Sequence, residues 1–144
     1  LKGAQECHRK HGIPASLTIA QAALESGWGA SKLTKLAFNI FGIKADPSWP
    51  GRFVWMDTRE VFQGKAVMIP AKWRAYDTFE QALEDRTKFL KRNKRYSSCW
   101  KETTAAGWAT ALQKAGYATD PLYAKLIMGI IEARNLTRFD NLEK

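Results

Sequence analysis

The stretch IAQAALESGWG, residues 19–29, decides the fold, because it is the end of an apolar helix that carries a single carboxylate. Pro14 suits the first position of a helix, so we predict a helix over residues 14–26. Gly27 and Gly29 can then end the helix and turn the chain away. Glu25 is the only charged residue among residues 15–25. A helix with so few charges is expected to be buried on most of its surface.

Glu25 at this helix end is a candidate general acid. Poor solvation, the negative end of the helix dipole and the nearby ring of Trp28 all favour the protonated form of its carboxyl group. A carboxyl group that keeps its proton near neutral pH can donate that proton to a leaving group. The alternative is structural: Glu25 caps a core helix or pairs with a neighbouring Lys or Arg.

The composition predicts a single domain over residues 1–144, with 45% hydrophobic residues and six Trp to build its core. A net charge of +9 predicts anionic partners, which could be nucleic acid, acidic lipid or the polymers of a bacterial envelope. No apolar run approaches the ~20 residues that span a bilayer, so we expect no membrane insertion. Because the chain starts at Leu1 rather than Met, we expect that a leader or another domain could have preceded it.

The cysteines and histidines give no pattern typical of a metal centre. His8 and His11 have a spacing that can hold a metal, but no third ligand is evident. Solvated histidines are therefore the expectation, and we predict no metal and no organic cofactor. Cys7 and Cys99 could form one disulfide or remain two buried thiols.

Helices are predicted on both sides of a β-hairpin. In the first half we expect helices over residues 4–11 and 30–37, a loop or extended segment over 39–44 and a turn at 46–51. Alternating apolar residues then predict a hairpin lobe at about residues 52–76, with its turn at 63–65 and Pro70 at an edge or a bulge. Two strands alone are weakly stable, so this lobe is expected to be mobile and able to close over a ligand.

The second half of the chain is predicted to be helical. One helix is capped by Asp77 or Thr78 and ends near Arg92 with Asn93 as a left-handed cap, and another covers residues 104–115. The last helix has Asp120 as N-cap and Pro121 as first residue. Its predicted core stripe consists of Leu122, Tyr123, Leu126, Ile127, Ile130 and Ile131. The basic run at residues 91–96 matches no nucleic-acid recognition motif and is expected to be a solvated helix end, so we predict no nucleic-acid partner.

Four motifs stand in order along the chain: ESGWG at residues 25–29, NIFGIK at 39–44, TRE at 58–60 and GYATDP at 116–121. Together they make residues 14–136 resemble glycoside hydrolase family 73, the bacterial cell-wall N-acetylglucosaminidases. Many members of that family have Thr where Ser26 stands, a difference that conserves the hydroxyl group. The resemblance implies a mainly α, lysozyme-like α+β fold with a small antiparallel β-hairpin lobe beside the cleft.

The resemblance also implies an activity and roles for particular residues. The expected reaction is hydrolysis of the β-1,4 bond between N-acetylglucosamine and N-acetylmuramic acid in peptidoglycan, with Glu25 as general acid. Glu60 is a candidate second carboxylate, although the acetamido group of the substrate could take its place and Glu60 could simply pair with a neighbouring cation. Tyr117 would orient the acetamido group or the water. Candidate substrate-binding residues are Trp28, Asn39, Phe41, Trp73 and Thr119; core packing is the common alternative for the aromatic members.

Two other functions remain open from the sequence. A muramidase or lytic transglycosylase would share the helix end at Glu25 but cut the alternate glycan bond. A non-catalytic cell-wall-binding module would keep the fold without needing Glu25, Glu60 and Tyr117. We expect a monomer that acts on peptidoglycan glycan strands in the cell wall or periplasm, and the sequence does not distinguish an autolysin, a flagellar hydrolase and a phage endolysin.

Overall fold

The computed structural model describes residues 1–29 and 31–142. Six α-helices and one β-hairpin form this part of the chain, joined by two short 3-10 helices at Lys94–Lys101 and Leu136–Asp140. The elements are α1 (Lys2–His11), α2 (Ala15–Ser26), α3 (Lys32–Ala37), β1 (Phe53–Phe62), β2 (Lys65–Arg74), α4 (Phe79–Arg92), α5 (Ala105–Lys114) and α6 (Tyr123–Ala133). The mainly α fold with a small antiparallel lobe is therefore confirmed.

Helix α2 lies at the centre of the molecule and ends in an unusual turn. Eight of its residues are buried, as its lack of charge predicts. Pro14 precedes the helix as its N-cap. At the other end Gly27, Trp28 and Gly29 all have positive φ angles of 59°, 61° and 82°. The Ser26 hydroxyl accepts a hydrogen bond of 2.8 Å from the Gly29 amide and so holds this turn directly after Glu25.

The main core is built where α2 meets the second half of the chain. Its buried members come from α1, α2, α4, α5, α6 and both 3-10 helices, and include Cys7, Leu17, Leu90, Trp108, Leu112, Ile127 and Ile131. Cys7 and Cys99 are both buried free thiols, so the second of the two alternatives for the cysteines is the observed one. None of the helices in the described residues is long and apolar enough to cross a membrane.

The hairpin has a regular register from Phe53 opposite Arg74 to Phe62 opposite Lys65. Gln63 and Gly64 form its turn with φ angles of 50° and 79°, which is the left-handed geometry that two-residue hairpin turns require. Pro70 pairs opposite Asp57 within this unbroken register, so it occupies an edge and not a bulge. At the base of the hairpin Val54, Met56 and Trp73 pack against Leu33, Ala37 and Ala75.

A buried ion pair fixes the hairpin to the helical part. Arg74, at the end of β2, donates from Nη1 to Oδ2 of Asp85 on α4 over 2.8 Å, and the Tyr76 hydroxyl donates to the same carboxylate. Arg74 Nε also donates to the carbonyl oxygen of Lys44 at 3.1 Å. Arg74 is 1% exposed and Asp85 8%. The loop that carries Lys44 is thereby held between the hairpin and α4.

The predicted end of α4 is wrong in one respect. Asn93 has φ −93° and ψ 113°, so it is extended and not left-handed. The chain does not leave the helix into solvent here but continues into the 3-10 helix Lys94–Lys101, which buries Tyr96 and Cys99. At the start of α4 the cap is Thr78, whose hydroxyl accepts from the Gln81 amide. The free energy gained by burying the Tyr96 ring outweighs the preference of the neighbouring basic residues for solvent.

The last helix also differs from its prediction. Helix α6 begins at Tyr123 and not at Pro121, and Asp120 instead accepts a hydrogen bond from the Leu122 amide in the turn before it. Leu122 and Leu126 were predicted to be core residues but are 56% and 43% exposed. The helix fully buries one row, Tyr123, Ile127 and Ile131, and Ile130 is partly buried against the main core. Of the predicted helix over residues 30–37, residue 30 lies outside the described residues, and the helix begins at Lys32.

Candidate active site

Glu25 opens into a cavity of about 340 Å³ between the helical part and the loop before the hairpin. We call this space the Glu25 cavity; it is lined by Glu25, Phe41, Gly42, Ile43, Lys44, Asp46, Phe89, Arg95, Tyr96 and Tyr117. The motif at residues 39–44 and the motif at residues 116–121 therefore meet at the end of α2. Three separate parts of the sequence are brought together around one carboxyl group.

The carboxyl group of Glu25 has the environment of a proton donor. Glu25 is exposed as a residue, so the expected burial of the whole helix end is not observed, because the cavity leaves this end open. The protein around the carboxyl group nevertheless removes enough water to raise its pKa above the usual value, and a hydrogen bond with the Tyr123 side chain opposes part of that rise. A raised pKa keeps more of Glu25 protonated near neutral pH, as acid catalysis requires.

Tyr117 lies in the wall of the same cavity. Its ring packs against Tyr96 and Tyr123 with centroid distances of 6.0 and 5.7 Å. Burial raises the pKa of Tyr117 well above its ordinary value, and the nearby Tyr123 and Glu25 raise it further. Its hydroxyl group therefore stays neutral and retains a hydrogen for donation to a ligand.

A chain of buried polar side chains leads away from Glu25, and the sequence did not indicate it. Tyr123, the hydrogen-bond partner of Glu25, accepts a hydrogen bond from Gln21 Nε2 at 2.9 Å. Gln21 Oε1 in turn accepts from Arg86 Nη1 at 2.8 Å. The apolar stripe of the last helix predicts Tyr123 only as a core residue. A signal for this chain was present in the sequence: Gln21 and Arg86 are polar residues on the apolar faces of two helices.

Glu60 is connected to the Glu25 cavity through a lysine. Its Oε1 lies 3.1 Å from Nζ of Lys44, which lines the cavity, and its side chain is 34% exposed. Lys44 Nζ also lies 5.6 Å from the centre of the Trp73 ring. Glu60 and Trp73 are therefore both neighbours of Lys44 on one face of the hairpin, although neither lines the cavity.

The other predicted binding residues have different surroundings. Phe41 is 4% exposed and forms part of the cavity lining, with the Arg86 guanidinium 4.8 Å from its ring centre on the protein side. Asn39 is buried, and its amide nitrogen donates to the carbonyl oxygens of Ile43 and Arg74. Its oxygen accepts from the Ile43 amide. Asn39 therefore shapes the loop and offers no free hydrogen to a ligand.

Trp28 and Thr119 are exposed outside the cavity lining. Trp28 is 58% exposed, and the guanidinium of Arg134 lies 4.7 Å from its ring centre. Trp28 follows the left-handed turn after α2 and is not among the residues that line the Glu25 cavity. Thr119 is exposed in the turn before α6.

A second, larger cavity of about 570 Å³ lies on another side of the hairpin base, between Trp49, Arg52 and α4. Its acidic residues include Asp77 and Glu84, but Glu25 and Tyr117 are absent from its lining. No group of three or more His, Cys, Asp or Glu in residues 1–29 and 31–142 is placed to hold a metal ion. The Glu25 cavity is therefore the candidate active site on grounds of chemistry and not of size.

Comparisons with known proteins identify relatives of this chain. The peptidoglycan hydrolase FlgJ of Salmonella typhimurium is 42% identical over 125 residues, which are 84% of this chain and 40% of the relative. The exo-glucosaminidase LytG of Bacillus subtilis is 40% identical over 144 residues, or 96% of this chain and 50% of the relative. The chain thus spans half or less of the length of these two relatives.

A solved structure shares the fold. The catalytic domain of the autolysin Auto from Listeria monocytogenes superposes with a TM-score of 0.86 at 35% identity, covering 96% of this chain and 82% of that one. The model of the glucosaminidase family, described as mannosyl-glycoprotein endo-beta-N-acetylglucosaminidase, matches residues 1–136. The chain therefore belongs to the glucosaminidase family, glycoside hydrolase family 73, as its four motifs indicated.

Proposed function

We propose that this chain hydrolyses the β-1,4 bond between N-acetylglucosamine and N-acetylmuramic acid in peptidoglycan. The observation that carries the proposal is the position of Glu25. Its carboxyl group has a raised pKa and lines a cavity that Tyr117 also lines. Membership of the glucosaminidase family and the names of the two relatives support the substrate class. The reaction needs a proton donor beside a sugar-sized opening, and the Glu25 cavity has both.

Glu25 acts as the general acid in this proposal. Its proton moves to the glycosidic oxygen while the bond from that oxygen to the anomeric carbon of N-acetylglucosamine breaks. The negative charge left on Glu25 is stabilised by a hydrogen bond that the Tyr123 hydroxyl donates to it. Tyr117 holds the acetamido group or the incoming water with its neutral hydroxyl.

The opposite face of the sugar is assigned to Glu60 or to the acetamido group of the substrate. Glu60 lies on the face of the hairpin that meets Lys44, so a closing movement of the hairpin would bring its carboxylate toward the Glu25 cavity. Because Arg74 and Asp85 fix the base of the hairpin, the movement would be a bend of its outer part, where Glu60 lies in a two-stranded segment that is weakly stable by itself. The acetamido group needs no such movement, since it arrives with the substrate.

The positive charge of the chain suits the proposed place of action. Peptidoglycan and its attached polymers are anionic, and a net charge of +9 concentrates the protein near them. We propose that residues 1–144 form one catalytic domain that works as a monomer in the cell wall or periplasm. Nucleic acid is not part of this proposal.

Product analysis tests the bond that is cut. Purified peptidoglycan is digested with the wild type, the fragments are reduced with borohydride, and their ends are identified by mass spectrometry. Reduced N-acetylglucosamine ends are the expected result. Reduced muramic acid or anhydro-muramic ends would replace the proposal with a muramidase or a lytic transglycosylase, and absence of fragments would favour a wall-binding module.

A further inference from the structure

We propose that Arg86, Gln21 and Tyr123 are positioning residues that direct the Tyr123 hydroxyl hydrogen onto one oxygen of Glu25. The proton that Glu25 donates is then confined to its other carboxyl oxygen, on the side of the cavity. This inference deepens the proposed function and rests on it for its chemical meaning. All three residues lie outside the four motifs. The sequence suggested Tyr123 only as a core residue.

Arg86 sets the direction of the chain because it can only donate hydrogen bonds. It is 0% exposed, and among the described residues no carboxylate forms an ion pair with it. Its guanidinium donates from Nη1 to Gln21 Oε1 and from Nη2 to the Thr18 hydroxyl, both at 2.8 Å. A buried cation served only by neutral acceptors polarises those acceptors strongly.

The orientation of the Gln21 amide follows from this contact. Oxygen and nitrogen of a Gln side chain are hard to distinguish by shape, but only the oxygen can accept from Arg86. The amide nitrogen must therefore face Tyr123, whose hydroxyl oxygen it meets at 2.9 Å. Gln21 is 0% exposed, so bulk solvent reaches neither end of its side chain.

The Tyr123 hydroxyl then has one hydrogen left to place. Its oxygen is already an acceptor from Gln21, and the residue is 2% exposed. The remaining hydrogen-bond partner of this hydroxyl is Glu25. Tyr123 is thereby a donor to Glu25. The direction of this bond is determined by Arg86, which is joined to Tyr123 through two hydrogen bonds and the Gln21 side chain.

This arrangement distinguishes the two oxygens of Glu25. The oxygen that accepts from Tyr123 is disfavoured as the site of the acidic proton, so in the neutral form the proton belongs on the other oxygen. When that proton leaves for the glycosidic oxygen, the new carboxylate gains a charge-assisted hydrogen bond from Tyr123. The bond is stronger after proton transfer than before it, which is the kind of interaction that raises kcat.

Other groups also face this part of the molecule. The titratable and charged side chains around Glu25 come from five elements or loops and comprise Tyr117, Tyr123, Arg86, Lys44 with Asp46, and Arg95 with Tyr96. Of these, Tyr123 is the one whose hydrogen bond to Glu25 favours the ionised form. Its loss should therefore raise the pKa of Glu25, while the remaining neighbours stay in place.

Two substitutions test the direction of the chain. Tyr123→Phe removes the donor. Gln21→Glu keeps the size of the side chain and supplies a counter-ion to Arg86, but its oxygens would accept the Tyr123 hydrogen and take it away from Glu25. For each single variant we expect kcat to fall about tenfold or more and the alkaline limb of its pH profile to move up by about one pH unit. In the double variant we expect no loss beyond that of Tyr123→Phe, because Gln21 acts through Tyr123.

The controls separate positioning from packing. Tyr76→Phe also removes one buried tyrosine hydroxyl but at Asp85, and it should leave the alkaline limb unchanged. Titration of Glu25 by carbon-13 NMR, assigned with Glu25→Gln, should show the raised pKa in both single variants even if the wild type proved inactive on peptidoglycan, so failure of the proposed function is distinguishable. An unshifted limb in Tyr123→Phe or Gln21→Glu, or additive losses in the double variant, would overturn the proposal.

Discussion

At the scale of single residues, Glu25 occupies a position where its ionised form is disfavoured. Because the folded state raises the carboxyl pKa above that of the unfolded chain, ionisation of Glu25 destabilises the fold once the pH exceeds the unfolded value. The stability that this group contributes is therefore present at low pH and lost as the pH rises. A residue kept for catalysis commonly carries such a cost.

Glu25→Gln should relieve that cost. We expect its melting temperature to exceed that of the wild type at pH 8 by a few degrees at most, and the difference to shrink toward pH 4, where both side chains are neutral. Differential scanning calorimetry across this pH range measures it. A difference that grew on acidification would show that the carboxyl pKa is lowered and not raised.

Glu60 gives a second prediction at the same scale. Its ion pair with Lys44 is solvent-accessible, so Glu60→Gln should change the free energy of unfolding by less than about 1 kcal/mol. If Glu60 activates water, we expect kcat on peptidoglycan to fall by about 10²-fold, within the range of general base catalysis. Lys44→Met, which breaks the same pair but keeps the carboxylate, is the matched control. A loss of less than tenfold for Glu60→Gln would assign the opposite face of the sugar to the substrate acetamido group.

The sequence indicated a functional residue when the signals for it lie nearby in the sequence. It did not indicate residues whose contacts are with distant parts of the chain. Glu25 was identifiable because its helix, its terminating glycines and its lack of charged neighbours are all local. The contact between Gln21 and Tyr123 spans 102 positions, and nothing in either helix alone predicts it. Asn39 belongs to a motif, but its buried amide makes hydrogen bonds within the fold to Ile43 and Arg74, which the motif alone does not predict.

At the scale of elements, the hairpin depends on its turn. Gln63 at φ 50° and Gly64 at φ 79° both lie in the left-handed region, where Asn-Gly is the preferred pair. Gln63→Asn should stabilise the hairpin by roughly 0.5 kcal/mol. Gly64→Val should destabilise it by about 1–2 kcal/mol, since a β-branched residue is strained at this φ. Amide hydrogen exchange in β1 and β2 measures both changes, and unchanged exchange with Gly64→Val would contradict the assignment of the turn.

Element boundaries were predictable where Gly, Pro or a hydroxyl residue marks them. The hairpin turn and the ends of α1, α2 and α5 follow such residues. The 3-10 helix Lys94–Lys101 has no comparable signal, because its basic residues conceal the burial of Tyr96 and Cys99. In α6 the apolar pattern allowed two adjoining faces, and the packing of neighbouring elements selected only the one with Tyr123.

At the scale of the whole molecule, the excess of 23 basic over 14 acidic residues should govern attachment to the wall. We expect binding of the Glu25→Gln variant to intact sacculi to weaken strongly between 0.05 and 0.5 M salt, because ions screen the attraction over shorter distances. Binding to an uncharged polysaccharide of N-acetylglucosamine is the control and should depend little on salt. Salt-independent retention on sacculi would show that net charge does not drive attachment.

The fold class was predictable at this scale because four motifs stood in order over most of the chain. The relation between the hairpin and the helices was not, since it rests on the buried contact of Arg74 with Asp85 and on the position of Lys44 between them. Asp85→Ala should therefore cost about 3–5 kcal/mol, because it leaves the buried Arg74 with only the exposed Asp46 carboxylate, 3.4 Å from its Nη2, as counter-ion. Urea unfolding measures that cost, and a loss below about 1 kcal/mol would mean that the ion pair does not fix the hairpin.

The most direct measurement is the rate of glycan release from purified peptidoglycan by the wild type and by Glu25→Gln, both shown to be folded by circular dichroism. If Glu25 is the proton donor, the wild type releases fragments and the variant loses at least about 10²-fold in kcat, with binding to sacculi retained. Release by Glu25→Gln within tenfold of the wild type would contradict the assignment of Glu25 as the general acid.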